Sequence, residues 1–265
     1  MSRLPELIAV VKRLRAPEGC PWDREQTPAS LRPCLLEEAY EVLDAIGRDD
    51  PHELRDELGD LLLQIVLQAE LAAEAGRFEL DDVIAAVVAK MIRRHPHVFA
   101  DAVVADTDEV LRNWSRIKSA ERAAKAGGAD PSVLSGLPPE LPALHAAVRT
   151  GEKAGRVGFD WPAAPAALDK VREEVEELAQ ALASGDPARI EHELGDTLFA
   201  LASTGRLAGQ NAELALRAAL ERFRTRFARV EALLRARGRD VHGTPPAELE
   251  ALWAEVKADE ARARS

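Results

Sequence analysis

Residues 37–60, EEAYEVLDAIGRDDPHELRDELGD, and residues 173–196, EEVEELAQALASGDPARIEHELGD, align without a gap and agree at ten of 24 positions. Apart from one alanine, Ala45 and Ala181, the shared residues are acidic or belong to the Asp-Pro and Leu-Gly pairs, while the stretches between them differ. A chain that writes the same segment twice folds as two copies of one supersecondary unit. The repeat extends beyond this segment. Trp22 in GCPWD and Trp161 in GFDWP precede the two copies. Lys90 and Arg94 follow the first at the i,i+4 spacing of Arg222 and Arg226 after the second. Trp114 and Lys118 in NWSRIK then echo Trp253 and Lys257 in LWAEVK.

The pattern around these positions is helical. Ala, Leu, Glu and Arg dominate a chain that is 46% hydrophobic and only 4% aromatic, the palette of amphipathic helices. Apolar periodicity predicts helices over 4–14, from about 31 to 47, and over 51–75, with Asp50 as cap, Pro51 in the first turn and a stop at Gly76. Further helices are expected near 81–94, 108–126, 166–183, 187–207, 211–238 and 247–261. Gly and Pro break the pattern over 127–142 and again over 151–165. The expected fold is all-α, with a helical domain over 1–126, a linker over 127–145 and a second helical domain over 146–265, built as two tandem bundles.

On a helix, residues three and four apart share a face, so Glu38 and Glu41 point together, as do Glu57 and Asp60 on the next helix. The short Asp-Pro connection makes these helices antiparallel neighbours. Four carboxylates meeting in the groove would repel one another unless a cation joined them. An all-oxygen set selects Mg²⁺, with Mn²⁺ as a substitute, over softer metals. Glu174, Glu177, Glu193 and Asp196 repeat the arrangement, and Glu37 and Glu173 precede each group by one residue, placed to hold a second ion or orient a water. Gly59 and Gly195 lie inside helices at a cost of about 1 kcal/mol each relative to Ala, which points to the close approach of a helix or a ligand.

Other chemistries are disfavoured. Neither acidic group contains the Glu-x-x-His of di-iron bundles, and HELRD and HELGD lack the second His of zinc proteases. No Ser-His-Asp arrangement or Gly-rich phosphate loop is evident. A net charge of −11 argues against stable nucleic-acid binding. No segment approaches the roughly 18 apolar residues of a membrane span, and Cys20 and Cys34 match no zinc spacing. A cytoplasmic location is expected. An acidic metal site beside a Lys/Arg face and a Trp suits a polyanionic substrate with a flat ring, and nucleoside triphosphates meet that description.

The EExxE and ExxD motifs, with GCPWDREQT, ELGDLLLQIVLQAELA, RRHPHVF, NWSRIK, LSGLPPELPAL and RVGFDW around them, resemble the MazG family of nucleoside triphosphate pyrophosphohydrolases over nearly the whole chain, in its two-domain form. The resemblance implies an all-α enzyme that cleaves nucleoside triphosphates between the α and β phosphates with Mg²⁺, leaving a monophosphate and pyrophosphate. It implies that Glu174, Glu177, Glu193 and Asp196 hold metal, with Glu173 a candidate proton acceptor, and that Arg222, Arg226 and Trp253 hold the nucleotide. The second domain is the expected main catalyst. The first domain's counterparts are Glu38, Glu41, Glu57 and Asp60, with Lys90, Arg94 and Lys118 nearby. Homodimers are implied too, with the apolar face of 61–72 as a packing surface. A narrow enzyme for a deoxynucleotide such as dUTP or dCTP, and a nucleotide sensor without turnover, are the alternatives.

Overall fold

A computed structural model describes residues 3–125 and 132–263. Twelve helices and no strand are found among them, in the order α1 (Leu4–Arg15), α2 (Pro21–Glu25), α3 (Arg32–Arg48), α4 (Pro51–Glu74), α5 (Leu80–Arg94), α6 (Pro96–Phe99), α7 (Thr107–Lys125), α8 (Ala143–Gly155), α9 (Ala164–Ser184), α10 (Pro187–Leu207), α11 (Ala212–Ala236) and α12 (Pro246–Ala263). The chain divides into two compact units, Met1–Lys118 and Ser119–Ser265, so that the division falls inside α7. Part of the expected linker, 127–131, lies outside the described residues. Among the described residues no helix is long and apolar enough to cross a membrane.

In the first unit α3 and α4 form a hairpin. Asp49 turns the chain in the left-handed region at φ 57°, and the Asp50 side chain then accepts from the backbone N–H groups of His52 and Glu53 at 2.9 and 3.1 Å. Those are donors that a helix start leaves unpaired, and Pro51 supplies the fixed first turn. The core is Val11 of α1 and Val66, Leu67 and Leu71 of α4 closed by Leu31, with Leu4, Leu7, Ile8, Cys34, Leu63 and Leu80 packed around it. Arg15 ties α1 to α4 through two 2.7 Å contacts to Glu74, and it also donates to the carbonyl of Asp23, which holds the short α2 in place.

The second unit repeats the hairpin with α9 and α10. Gly185 makes the left-handed turn at φ 68°, and Asp186 accepts from the N–H of Ala188 at 3.1 Å. Buried Ala167, Ala181, Ala200 and Ala202 line these two helices, and their small side chains permit close packing. On α11 and α12 a second core gathers Val230, Leu234, Leu252 and Val256. Among the described residues α3 packs on α4 alone and α9 on α10 alone.

The break expected at Gly151 does not occur: α8 continues to Gly155. The reason is tertiary. A Cβ at Gly151 would lie 2.8 Å from Nε of Arg206, and one at Gly155 would lie 2.5 Å from Oδ2 of Asp160. The two glycines one turn apart therefore form a seat on which Arg206 makes a two-pronged pair with Asp160 at 2.6 and 3.0 Å. This pair clamps the loop after α8 to the end of α10, with side chains only 12% and 22% exposed. Arg206→Met, which leaves the Asp160 carboxylate without its partner, is expected to lower stability by about 2 kcal/mol, read as a lower urea midpoint with unchanged slope. The helices α2 and α6 were not expected from periodicity, because each is a single turn or little more opened by a proline.

Candidate metal and nucleotide site

Helical spacing and the two capped hairpins bring three carboxylates together in each unit. Ligand oxygens of Glu38, Glu41 and Glu57 lie within 4.8 Å of one another, as do those of Glu174, Glu177 and Glu193. Asp60 and Asp196 fall outside these triplets, each one turn further along its helix. Asp60 stays close enough to raise the carboxyl pKa of both Glu38 and Glu57. Asp196 lies 3.4 Å from Nε2 of His192.

The two triplets differ in surroundings. Glu174 and Glu193 are 5% and 9% exposed, whereas Glu38 and Glu57 are half-buried and Glu41 is exposed. In the second unit Lys170 donates to Oε1 of Glu173 at 2.6 Å and lies 2.8 Å from Oε1 of Glu174, while Arg189 stands 3.8 Å from Glu193. Those two carboxylates hold the Lys170 ammonium above its ordinary pKa, Glu173 contributing most. Yet Oε2 of Glu174 is buried with no hydrogen-bond partner. An anionic oxygen in that state is costly unless a cation completes it. The donor set of three carboxylates, one with an unspent buried oxygen, fits a hard divalent ion.

Electrostatics agree with that fit. Partial withdrawal from water raises the Glu38 carboxyl, and Asp60 and Glu41 raise it further. Glu57 is raised by the same withdrawal and by Glu41 and Asp60. Glu177 is raised by withdrawal, by Glu174 and by Glu193, against a lowering by Lys170. A carboxyl whose folded pKa exceeds its unfolded value binds more protons folded than unfolded, so its ionisation costs stability as pH rises through that window. Glu74, lowered by Arg15, acts in the opposite sense and is untouched by an ion at the triplets. The stabilisation given by Mg²⁺ over EDTA should therefore grow from about pH 4 upward and level off once these glutamates are ionised, as read by melting temperature at each pH.

A second assembly in each unit is basic and aromatic. On α11 and α12, Phe223 packs against Trp253 at a ring separation of 4.9 Å, and the Arg226 guanidinium stands 6.0 Å from the Trp253 ring. Arg226 also pairs with Glu260 at 2.9 Å, and Arg229 approaches the same carboxylate at 3.4 Å. Arg222 and Lys257 are exposed. In the first unit the Trp114 ring has Arg94 at 5.5 Å and Lys118 at 5.2 Å, with Lys90 half-buried one turn before Arg94. Each is a flat ring beside cationic groups, the pairing that stacks on a base and contacts phosphate.

Three residues escaped the reading of motifs. Lys170 and Arg189 each stand four residues before their glutamates, a spacing that could have revealed them. Glu260 left no local signal, since it meets Arg226 from 34 positions away. Of the two causes expected for Gly59 and Gly195, the neighbouring helix is not found: a Cβ at either would meet nothing within 4 Å among the described residues. Both face open space next to the acidic triplets, where a ligand or a partner chain could approach.

Comparison with known proteins agrees with this geometry. The sequence profile of the MazG nucleotide pyrophosphohydrolase domain matches residues 26–99 and 165–231, one segment for each acidic hairpin. The chain is 45% identical over 263 residues to the nucleoside triphosphate pyrophosphohydrolase of Escherichia coli K12, covering 98% of this chain and 99% of that one. It is 39% identical over 252 residues to the nucleoside triphosphate pyrophosphohydrolase/pyrophosphatase MazG of Thermotoga maritima, covering 95% and 94%. A nucleoside triphosphate pyrophosphohydrolase of Mycolicibacterium smegmatis is 37% identical over 172 residues, covering 64% of this chain and 51% of the relative. With both acidic hairpins inside the matched segments and end-to-end similarity to two such enzymes, the chain belongs to the MazG nucleotide pyrophosphohydrolase family.

Proposed function

We propose that this enzyme hydrolyses nucleoside triphosphates between the α and β phosphates with Mg²⁺, releasing a nucleoside monophosphate and pyrophosphate with little discrimination between bases. The observation that carries the reading is the buried Glu174, whose partnerless oxygen belongs to a triplet with Glu177 and Glu193. The names of the full-length relatives point to the same substrate class.

Glu174, Glu177 and Glu193, with Asp196 one turn on, would hold the ion in the second unit, the main catalytic one. Glu38, Glu41, Glu57 and Asp60 would hold one in the first. A divalent ion bound there neutralises phosphate charge and acidifies water. The chain's own groups do the rest. Glu173, exposed beside the triplet and hydrogen-bonded to Lys170, is placed to accept a proton from the attacking water. Arg222 and Arg226 take phosphate charge and Trp253 offers its face to the base, while Lys90, Arg94 and Lys118 are the counterparts in the first unit. A stacking ring reads any base alike, which supports broad specificity.

A homodimer is part of the reading. Leu58, Leu62 and Ile65 on α4 and Leu194, Leu198 and Leu201 on α10 occupy matching places in the repeat, and all six are exposed. Among the described residues helices α3 and α9 each pack on one other helix. An apolar stripe kept in both copies and covered in neither suits a second copy of the chain. A cytoplasmic location is part of the same reading, supported by the proposed triphosphate substrates and by the free Cys20 and Cys34.

Incubation with ATP and Mg²⁺, with AMP, ADP, pyrophosphate and phosphate resolved, should yield AMP and pyrophosphate in equal amounts. ADP as the main product, or binding without turnover, would overturn the proposal. Across a panel of NTPs and dNTPs the rates should lie within about tenfold, because stacking is worth a similar amount for every base.

A further inference from the structure

We infer that Lys170 is a built-in counter-ion that keeps free divalent ions out of the second unit's carboxylate triplet, so that the site fills with an ion arriving together with its triphosphate. The inference rests on the metal and nucleotide reading given above and adds an order of binding to it.

The geometry divides Glu174 in two. One oxygen is taken by Lys170 at 2.8 Å; the other is buried and has no hydrogen-bond partner. Lys170 is anchored further by Glu173 at 2.6 Å, and Arg189 faces Glu193. With Glu173 counted, four carboxylates against these two cations leave two net negative charges, a weaker lure than an uncompensated cluster for a bare dication that must shed its water. One dication then brings the group to neutrality, so that an incoming triphosphate is not repelled. The Lys170 side chain is 34% exposed on a flexible stem, so its ammonium can turn from Glu174 to a phosphate without leaving the site.

The first unit offers the contrast within one molecule. The repeat puts Cys34 where Lys170 stands, Glu53 where Arg189 stands and Asp56 where His192 stands. The nearby arginines are already engaged, Arg48 by Asp44 and Glu53 and Arg55 by Asp56. The repeat positions that carry Lys170 and Arg189 in the second unit therefore hold no cation in the first. With one dication added the first triplet remains net negative, a charge that repels triphosphate. The same carboxylate spacing thus serves two different charge balances.

The test uses the full chain carrying Glu38→Gln and Glu41→Gln, which silences the first triplet, and measures Mn²⁺ binding by the electron paramagnetic resonance signal of the free ion. In that background Lys170→Gln is expected to tighten binding of free Mn²⁺ by about tenfold, since ligand charge tunes such sites over decades. With protein-bound Mn²⁺ measured by equilibrium dialysis, across which the Mn²⁺–analogue complex itself equilibrates, a non-hydrolysable triphosphate analogue should raise Mn²⁺ uptake strongly in the parent and little in Lys170→Gln, and Lys170→Arg should behave like the parent. Thermal melting checks that each variant is folded. Free Mn²⁺ affinity unchanged or weakened by Lys170→Gln would overturn the assignment to the lysine while leaving the metal site standing. No Mn²⁺ uptake by parent or variant, even with the analogue, would overturn both.

Discussion

Glu174→Gln is expected to reduce pyrophosphate release from ATP by about 10³-fold or more, whereas Glu38→Gln should leave it within about threefold. The substitution is nearly isosteric and relieves repulsion in the triplet, so the fold should survive and the loss can be assigned to chemistry. What it removes is one anionic charge from a carboxylate that is 5% exposed and half unpartnered. A neutral amide cannot meet a hard cation there with comparable strength. The prediction is asymmetric because the surroundings are. Glu174 and Glu193 are buried and each faces a cation on its own helix, so their oxygens are held before substrate arrives. Glu41 is exposed and Glu38 and Glu57 only half-buried, and the positions matching Lys170 and Arg189 hold Cys34 and Glu53. Steady-state assays of both variants, resolving AMP from ADP, check the expectation; loss with Glu38→Gln alone would move the chemistry to the first unit.

Leu198→Glu should convert a dimer into monomers at micromolar concentration while leaving helical content unchanged. Leu198 is 45% exposed, between Leu194 at 47% and Leu201 at 46%, so a glutamate there costs the isolated chain little. In a dimer the same side chain would carry a charge into an apolar interface. Burying a leucine is worth roughly 1.5–3 kcal/mol, and a charge in its place forfeits that and adds desolvation, which weakens association by about 10³-fold or more. Size-exclusion chromatography with light scattering reads the result, and Leu62→Glu makes the same test in the first unit. A parent chain that is already monomeric would remove the homodimer from the proposal.

Much of the fold was legible because helices are local objects. Asp50 and Asp186, each followed by proline, announce two helix starts, and both cap as their positions predict. Gly76 ends α4 in the left-handed conformation that glycine tolerates. The meeting of Glu38 with Glu41, and of Glu174 with Glu177, follows from the helical repeat, and the short hairpin connections bring Glu57 and Glu193 alongside. Gly151 was misread because its use is not local. Alone it looks like a break; in the folded chain it makes room for Arg206, 55 positions on by residue number.

From its residues alone this chain had to be helical, built in two copies, each with carboxylates gathered at one hairpin, since periodicity, capping and spacing act within a few residues of one another. Only the packed molecule decided which carboxylates would be withdrawn from water, that Arg226 would meet Glu260, and that Gly195 would face open space. Those outcomes depend on how distant helices settle against each other, and desolvation and ion pairing vary steeply with small changes in that arrangement.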